Sequence, residues 1–218
     1  MTKLCRAVAP LLLLLGSAGA LRGQGIGITF GKTNSDVINI YDGQLSSSYP
    51  DRHAATFGLT YRHPLASWLV LQPELLRVQR GWAEQSHPTL SLTYLELPML
   101  LRFGALSNKG SPVRPTFTVG GAMSVLQSCS LTNLDAARAE GSGCDQRIVG
   151  PFNEDYGMKR FDVGVVLGVG GEVRVAGGTI VGLEGRYELG LNDIRRDDHQ
   201  SHNSTFFVLV NVVPRVAR

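Results

Sequence analysis

TIVGLEGRYELGLND (179–193) is the stretch on which the fold turns. Its odd positions are Val181, Leu183, Gly185, Tyr187, Leu189 and Leu191; its even positions are Gly182, Glu184, Arg186, Glu188, Gly190 and Asn192. A period of two belongs to a strand, because successive side chains point to opposite faces. One face here is apolar and the other small or charged, so the strand separates two different solvents. FDVGVVLGVGGEVRV (161–175) repeats the split: the valines, Phe161 and Leu167 lie against Asp162, Gly164, Gly168, Gly170, Glu172 and Arg174, with Val166 the one apolar exception.

The same alternation recurs in GIGITFG (25–31), ATFGLTYR (55–62), WLVLQPELLRVQR (68–80), LSLTYLELPMLLRF (90–103), RPTFTVGGAMSVLQS (114–128) and STFFVLVNVV (204–213). Eight strands result, and no segment holds a helical period. In 93–103, Leu95, Leu97, Met99, Leu101 and Phe103 share one face while Glu96 and Arg102 share the other. Pro73 and Pro98 each lack a ladder donor, which predicts a bulge or a broken hydrogen bond beside them. The 68–80 run is the least regular, because Leu76 and Val78 share the face of Glu74 while Arg77 does not; a bulge there would switch the facing downstream.

Connections alternate in character. Residues 32–53, 81–89, 129–160 and 193–203 are longer or more polar, whereas 63–67, 105–112 and 176–178 are shorter. An even strand count with short turns at one end and long loops at the other is the pattern of outer-membrane barrels, and tilted strands of about 9–11 residues suffice to cross. A soluble barrel binding a small apolar ligand would need the inverse facing, with the odd residues of 161–175 inward. Glycine-rich charged faces suit a crowded interior better than a solvated outside, where they would form strand poorly. The expected fold is therefore an all-β, eight-stranded, antiparallel up-and-down transmembrane barrel with a charged, side-chain-filled lumen. Eight strands leave an interior about wide enough for side chains alone.

That lumen is expected to hold Arg62, Glu74, Glu96, Arg102, Asp162, Glu172, Arg174, Glu184, Arg186 and Glu188 as a cluster of paired ions, since an unpaired charge in a confined space is costly. Glu74 and Glu96 are expected at similar heights, each with an arginine near. Trp68, Trp82, Tyr61 and Tyr94 are candidates for interfacial girdles.

The first twenty residues read as a signal peptide: Lys3 and Arg6, an apolar run centred on Leu11–Leu15, and Ala18-Gly19-Ala20, with cleavage near Ala20 or as late as Gln24. The rest, 21–218, reads as one barrel domain. Losing Lys3 and Arg6 lowers the formal charge from +3 to +1, which argues against a nucleic-acid partner. Cys5 leaves with the signal, and Cys129 and Cys144 remain as an expected disulfide for an exported chain; closing so short a loop would contribute about 3 kcal/mol.

YLELP (94–98), FDVGVVLGVGGEV (161–173) and LEGRYELGLNDI (183–194) resemble signature stretches of the PorT-like outer-membrane β-barrel family, and LQPELLRVQRGW (71–82) and NSTFFVLV (203–210) are similar to its third and last strands. The resemblance implies a bacterial outer-membrane barrel in contact with lipid, and supplies no catalytic residues. It departs at the C-terminus: such barrels commonly end on an aromatic residue, and this sequence ends PRVAR.

Other motifs carry less. RRDDHQSH (195–202) would suit a rim hydrolase on lipid or peptide, with His199 as base, Asp197 or Asp198 orienting it and Ser201 as nucleophile. Neighbours in sequence seldom converge as a triad, so a solvated loop is the simpler reading. Asp197, His199 and His202 lack a further ligand for a metal. GVGGEV (168–173) lacks the helix a phosphate loop requires, and Asn203-Ser204-Thr205 is a sequon only in form. The expectation is a non-enzymatic barrel without cofactor or metal, not an open pore, presenting loops 32–53 and 129–160 to a protein, glycan or lipopolysaccharide partner.

Overall fold

The computed structural model describes residues 25–41, 44–47, 52–82, 89–104, 112–132, 159–193 and 200–214. The strands are β1 (Gly25–Tyr41), β2 (Gln44–Ser47), β3 (Arg52–Pro64), β4 (Leu69–Trp82), β5 (Thr89–Gly104), β6 (Val113–Thr132), β7 (Phe161–Arg174), β8 (Ile180–Gly190) and β9 (Gln200–Val213). They form one sheet in the order β2-β1-β3-β4-β5-β6-β7-β8-β9, and an additional β1–β9 pairing closes it. Each strand pairs antiparallel with its neighbours. Eight strands make the barrel, and β2 is a short addition to the β1 edge.

Parity along the strands decides what faces lipid. Val165, Leu167 and Val169 are 42%, 48% and 64% exposed, and Leu95, Leu97, Met99 and Leu101 stand on the outside of β5. Gly164 and Gly168 are buried between them. The apolar set thus points outward, which excludes the soluble barrel. At the short-turn end Trp68 stacks on Phe103 with centroids 5.9 Å apart, and Phe103 meets Phe117 at 6.2 Å, an aromatic belt of the kind that marks a membrane interface.

Several boundaries differ from the sequence reading: β9 starts at Gln200 and β3 at Arg52, each inside an expected loop. Residues 32–41 continue β1 instead of starting a loop, because Val37, Ile38, Ile40 and Tyr41 favour strand and both β2 and β9 offer partners, as in Ile40↔Leu45 and Ile40↔Gln200. β6 likewise runs on to Thr132. The bulge expected in 68–80 is absent. β4 keeps one register with each neighbour, and its ladder is only interrupted: towards β3 between His63↔Leu71 and Thr60↔Glu74, towards β5 between Pro73↔Met99 and Leu76↔Glu96. Pro73 and Pro98 sit at these interruptions, as their missing N–H groups require. Leu76 and Val78 therefore do face inward, where they pack with Phe207 and Leu209, while Val166 packs with Leu100 and Ala122.

The register shift lies on β6, where Thr93↔Ser128 is followed by Tyr94↔Leu126 and leaves Gln127 without a partner on β5. Beyond it β6 changes face, so that Leu126 and Cys129 are both buried. Gly58 and Gly120 mark close approaches in the wall: a Cβ there would stand 2.0 Å from the Leu75 carbonyl oxygen and 2.2 Å from that of Met99. Inward glycines of this kind let strands coil tightly enough to close a narrow barrel. The β7–β8 turn is a single 3-10 turn in which Gly177 takes φ 73°, a conformation that favours glycine.

Candidate functional site: two storeys of buried charge

The strand directions give the lumen an upper end, towards the long connections, and a lower end at the short turns. Along β4 the inward side chains rise as Glu74, Leu76, Val78, Arg80; along β5 they descend as Tyr94, Glu96, Pro98, Leu100, Arg102. Apolar side chains thus divide the charges of both strands into two groups.

In the lower storey, Arg186 donates to Glu74 at 2.7 and 3.3 Å and to Glu184 at 3.2 Å. Arg102 donates to the other Glu184 oxygen at 2.5 Å and to Thr116 at 3.0 Å, with Glu172 3.6 Å from its Nε. Arg62 completes the chain on Glu172 at 2.9 Å, and Gln72 donates to Glu74 at 2.7 Å. Three guanidinium groups meet three carboxylates, each with an opposite charge in reach.

The upper storey is built differently. Arg80 Nη2 donates to both Glu96 and Glu188, and Arg80 Nη1 stands 3.7 Å from Asp162. Its guanidinium lies 5.4 Å from the Tyr94 ring centroid, within range of a cation–π contact. Ser124 donates to Glu96 at 3.2 Å and Asn203 to Asp162 at 2.7 Å. One arginine faces three carboxylates.

Glycines make room for these groups. A Cβ on Gly168 would stand 2.6 Å from Glu184 Oε1, and one on Gly164 would stand 2.9 Å from Glu188 Oε1. The glycine seam of β7 is therefore the bed on which the β8 carboxylates lie.

Of the residues placed in the lumen by parity, Arg62, Glu74, Glu96, Arg102, Asp162, Glu172, Glu184, Arg186 and Glu188 take part in these contacts. Arg174 does not. It is exposed at the lower mouth, because β7 ends there and the wall across from it has stopped. Arg80 was missed, and it is the cation that Glu96 uses. Glu74 and Glu96 belong to different storeys, since Glu96 is opposite Leu76, two residues above Glu74. Tyr94 is a lumenal ring and not a girdle residue, having the parity of Glu96; Trp68 is 47% exposed, Tyr61 stacks on His63, and the Trp82 side chain lies outside the described residues.

Asn203, wholly lumenal, is unsuited to carry a glycan. Gly168, Gly170 and Gly171 stay within β7, so no helix N-terminus follows them as a phosphate loop requires. Asp197, Asp198, His199 and Cys144 lie outside the described residues, as do residues 1–20, expected to be a signal peptide, and most of 129–160. Ser201 and His202 belong to β9.

A model of the outer membrane protein beta-barrel domain matches residues 17–196. The chain belongs to this family. Membership in the outer membrane protein beta-barrel domain family agrees with the closed barrel, its apolar outer face and its charged interior, and places the protein in the bacterial outer membrane. Among solved structures, Neisserial surface protein A is 13% identical with a TM-score of 0.50, the match covering 86% of this chain and 96% of that one. Ail of Yersinia pestis is 14% identical with a TM-score of 0.44, covering 88% of this chain and 99% of that one. A second Ail structure, in complex with the heparin analogue sucrose octasulfate, is 14% identical with a TM-score of 0.43 over 87% and 98%. At such identities the likeness is one of fold. No curated protein matches the sequence.

Proposed function

We propose that this small outer-membrane barrel is a closed, non-enzymatic scaffold that presents its upper connections to a protein or glycan partner. The observation that carries this reading is the lumen. Two ion networks and two apolar groups fill it from Arg80 down to Arg62, with Arg80, Arg102, Arg186, Leu76 and Leu100 all fully buried. A barrel filled in this way offers no path for solutes, so its variable chemistry belongs at the rim. The strand directions bring the β1–β2 pair and the strand ends that flank 83–88, 133–158 and 194–199 to one end, and loops held by a rigid scaffold are where binding resides.

The test combines two measurements on the full chain. In planar bilayers the protein is expected to give no stable conductance steps, and a reproducible single-channel current would overturn the closed barrel. On intact cells, a cysteine introduced within 133–158 is expected to react with a membrane-impermeant thiol reagent while the barrel keeps its heat-modifiable gel migration. Labelling only after the outer membrane is broken would overturn the loop assignment.

A further inference from the structure

The upper storey has a charge imbalance that its own side chains do not settle. Glu96 Oε2 and Glu188 Oε1 rest on the same nitrogen, Arg80 Nη2, so one donor holds the two carboxylates against each other. Asp162 approaches the other terminal nitrogen. The side chains of Arg80, Glu96, Asp162 and Glu188 are all at most 3% exposed, so water does not screen them. Among the described residues, the elements around the site add neutral groups or committed ones: Tyr94 from β5, Ser124 from β6, Asn203 from β9, and Arg186 from β8, which is engaged by Glu74 and Glu184. Among the described side chains, the inward residues of β1 and β3 at this end, Thr33, Ser35 and Thr56, carry no charge.

A second observation is independent of the charge count. Glu188 Oε2 and Asp162 Oδ1 are buried with no hydrogen-bond partner. Arg80 Nε and Nη1 are likewise without a hydrogen-bond partner, so the guanidinium does not satisfy these acceptors, and two acids sharing a site lower the charge excess by keeping a proton, which removes one negative charge and creates one O–H donor.

We propose that Glu96 and Glu188 form a proton-binding site, sharing one proton as a carboxyl–carboxylate hydrogen bond clamped by Arg80 Nη2. The proton is taken from solvent when the barrel folds and returned when it unfolds; only an O–H bond is made and broken. The folded state then binds one proton more than the unfolded chain, so stability falls as pH rises through the range in which the pair loses it. The titration belongs to the pair and to neither residue singly.

The experiment is urea unfolding of the full barrel in lipid vesicles between about pH 6 and pH 9. Over the part of that range where the pair releases its proton, the wild-type folding equilibrium is expected to weaken by up to about tenfold per pH unit, the signature of one linked proton. Glu96→Gln and Glu188→Gln replace a protonated acid by an amide of the same shape. Each is expected to fold and to flatten that slope, whereas the control Glu172→Gln keeps it. Infrared difference spectra should show a buried carboxyl C=O band in the wild type that is lost in both lumenal variants. A flat wild-type slope, a slope unchanged in Glu96→Gln and Glu188→Gln, or no carboxyl band would each overturn the proposal. So would stabilisation of the wild type, but not of Glu96→Gln, by sodium, potassium or calcium chloride without any pH slope, because a metal cation would then hold the place assigned to the proton.

Discussion

The two storeys of the lumen are made from the same residue types and reach balance by opposite means. Below, Arg62, Arg102 and Arg186 alternate with Glu172, Glu184 and Glu74, so the inner members of the chain, Arg102, Arg186, Glu172 and Glu184, each have two opposite charges to lean on. Above, Glu96, Glu188 and Asp162 converge on Arg80 alone. A chain of pairs distributes its electrostatics, whereas a hub concentrates it. Buried pairs contribute little net stability once desolvation is counted, yet breaking one is expensive. The difference between the storeys should therefore show in what happens when a cation is removed, more than in what either network adds to the folded state.

The largest effect is expected at the hub. Arg80→Met leaves three buried acids without a cation, and should cost more than the about 3–5 kcal/mol typical of removing one member of a buried ion pair. Protonating the orphaned acids should restore much of it, so the variant should regain heat-modifiable migration on going from about pH 8 to pH 5. A variant as stable as wild type at pH 8 would show that the three acids do not depend on Arg80. Arg186→Met is the matched change below. It strips Glu74 of its arginine but leaves it Gln72, and leaves Glu184 its bond to Arg102. The expected loss is about 3 kcal/mol, with a smaller recovery in acid. If acid rescued both variants equally, the distinction between hub and chain would fail.

Glycine provides a steric form of the same comparison. Gly168→Ala would drive a methyl into Glu184 Oε1, whereas a Cβ on Gly182 would meet its nearest neighbours, Arg102, Glu172 and the Gly171 carbonyl, at 3.6 Å, ordinary contact. Overpacking of the first kind costs about 1–3 kcal/mol, and Gly182→Ala should lie within about 0.5 kcal/mol of wild type. Urea midpoints of the two variants measure the difference directly.

How much of this was legible depends on which physical rule governs each feature. Parity follows from the backbone alone, so the closed barrel and the inward direction of Glu96, Glu184, Arg186 and Glu188 could be read from alternation. Partner choice could not. Arg62 meets Glu172 across the lumen at a sequence separation of 110, and that meeting is set by the stagger of the closed barrel, which alternation does not encode. Arg80 was lost for another reason. Leu76 and Val78 share the face of Glu74 while Arg77 does not, and the bulge expected from this would have switched the facing of everything downstream, Arg80 included. In fact Arg77 lies outside, its guanidinium 5.9 Å from the Phe57 ring centroid, with its apolar stem lying along an apolar surface. The uninterrupted even parity of Gln72, Glu74 and Arg80 was the signal that would have found the hub.

Arg174 sets the smallest prediction and the limit of the parity rule. It continues the inward series of β7 after Glu172, yet it is exposed, whereas Arg62 is 3% exposed and bound to Glu172. Parity fixes the direction of a side chain; enclosure requires a wall on the far side as well. Arg174 lies opposite Ile180, at the first residue pair after the turn, where there is little wall left. Arg174→Ala should therefore change stability by no more than about 0.5 kcal/mol, and its effect should vanish in high salt, as expected for an exposed charge. Arg62→Gln should destabilise by a largely salt-independent amount because Arg62 and its partner Glu172 have side chains only 4% and 16% exposed. A salt-insensitive loss of about 2 kcal/mol or more in Arg174→Ala would mean that the lower network extends to the mouth of the barrel, and that the lower storey carries an extra cation to set against the acid excess above.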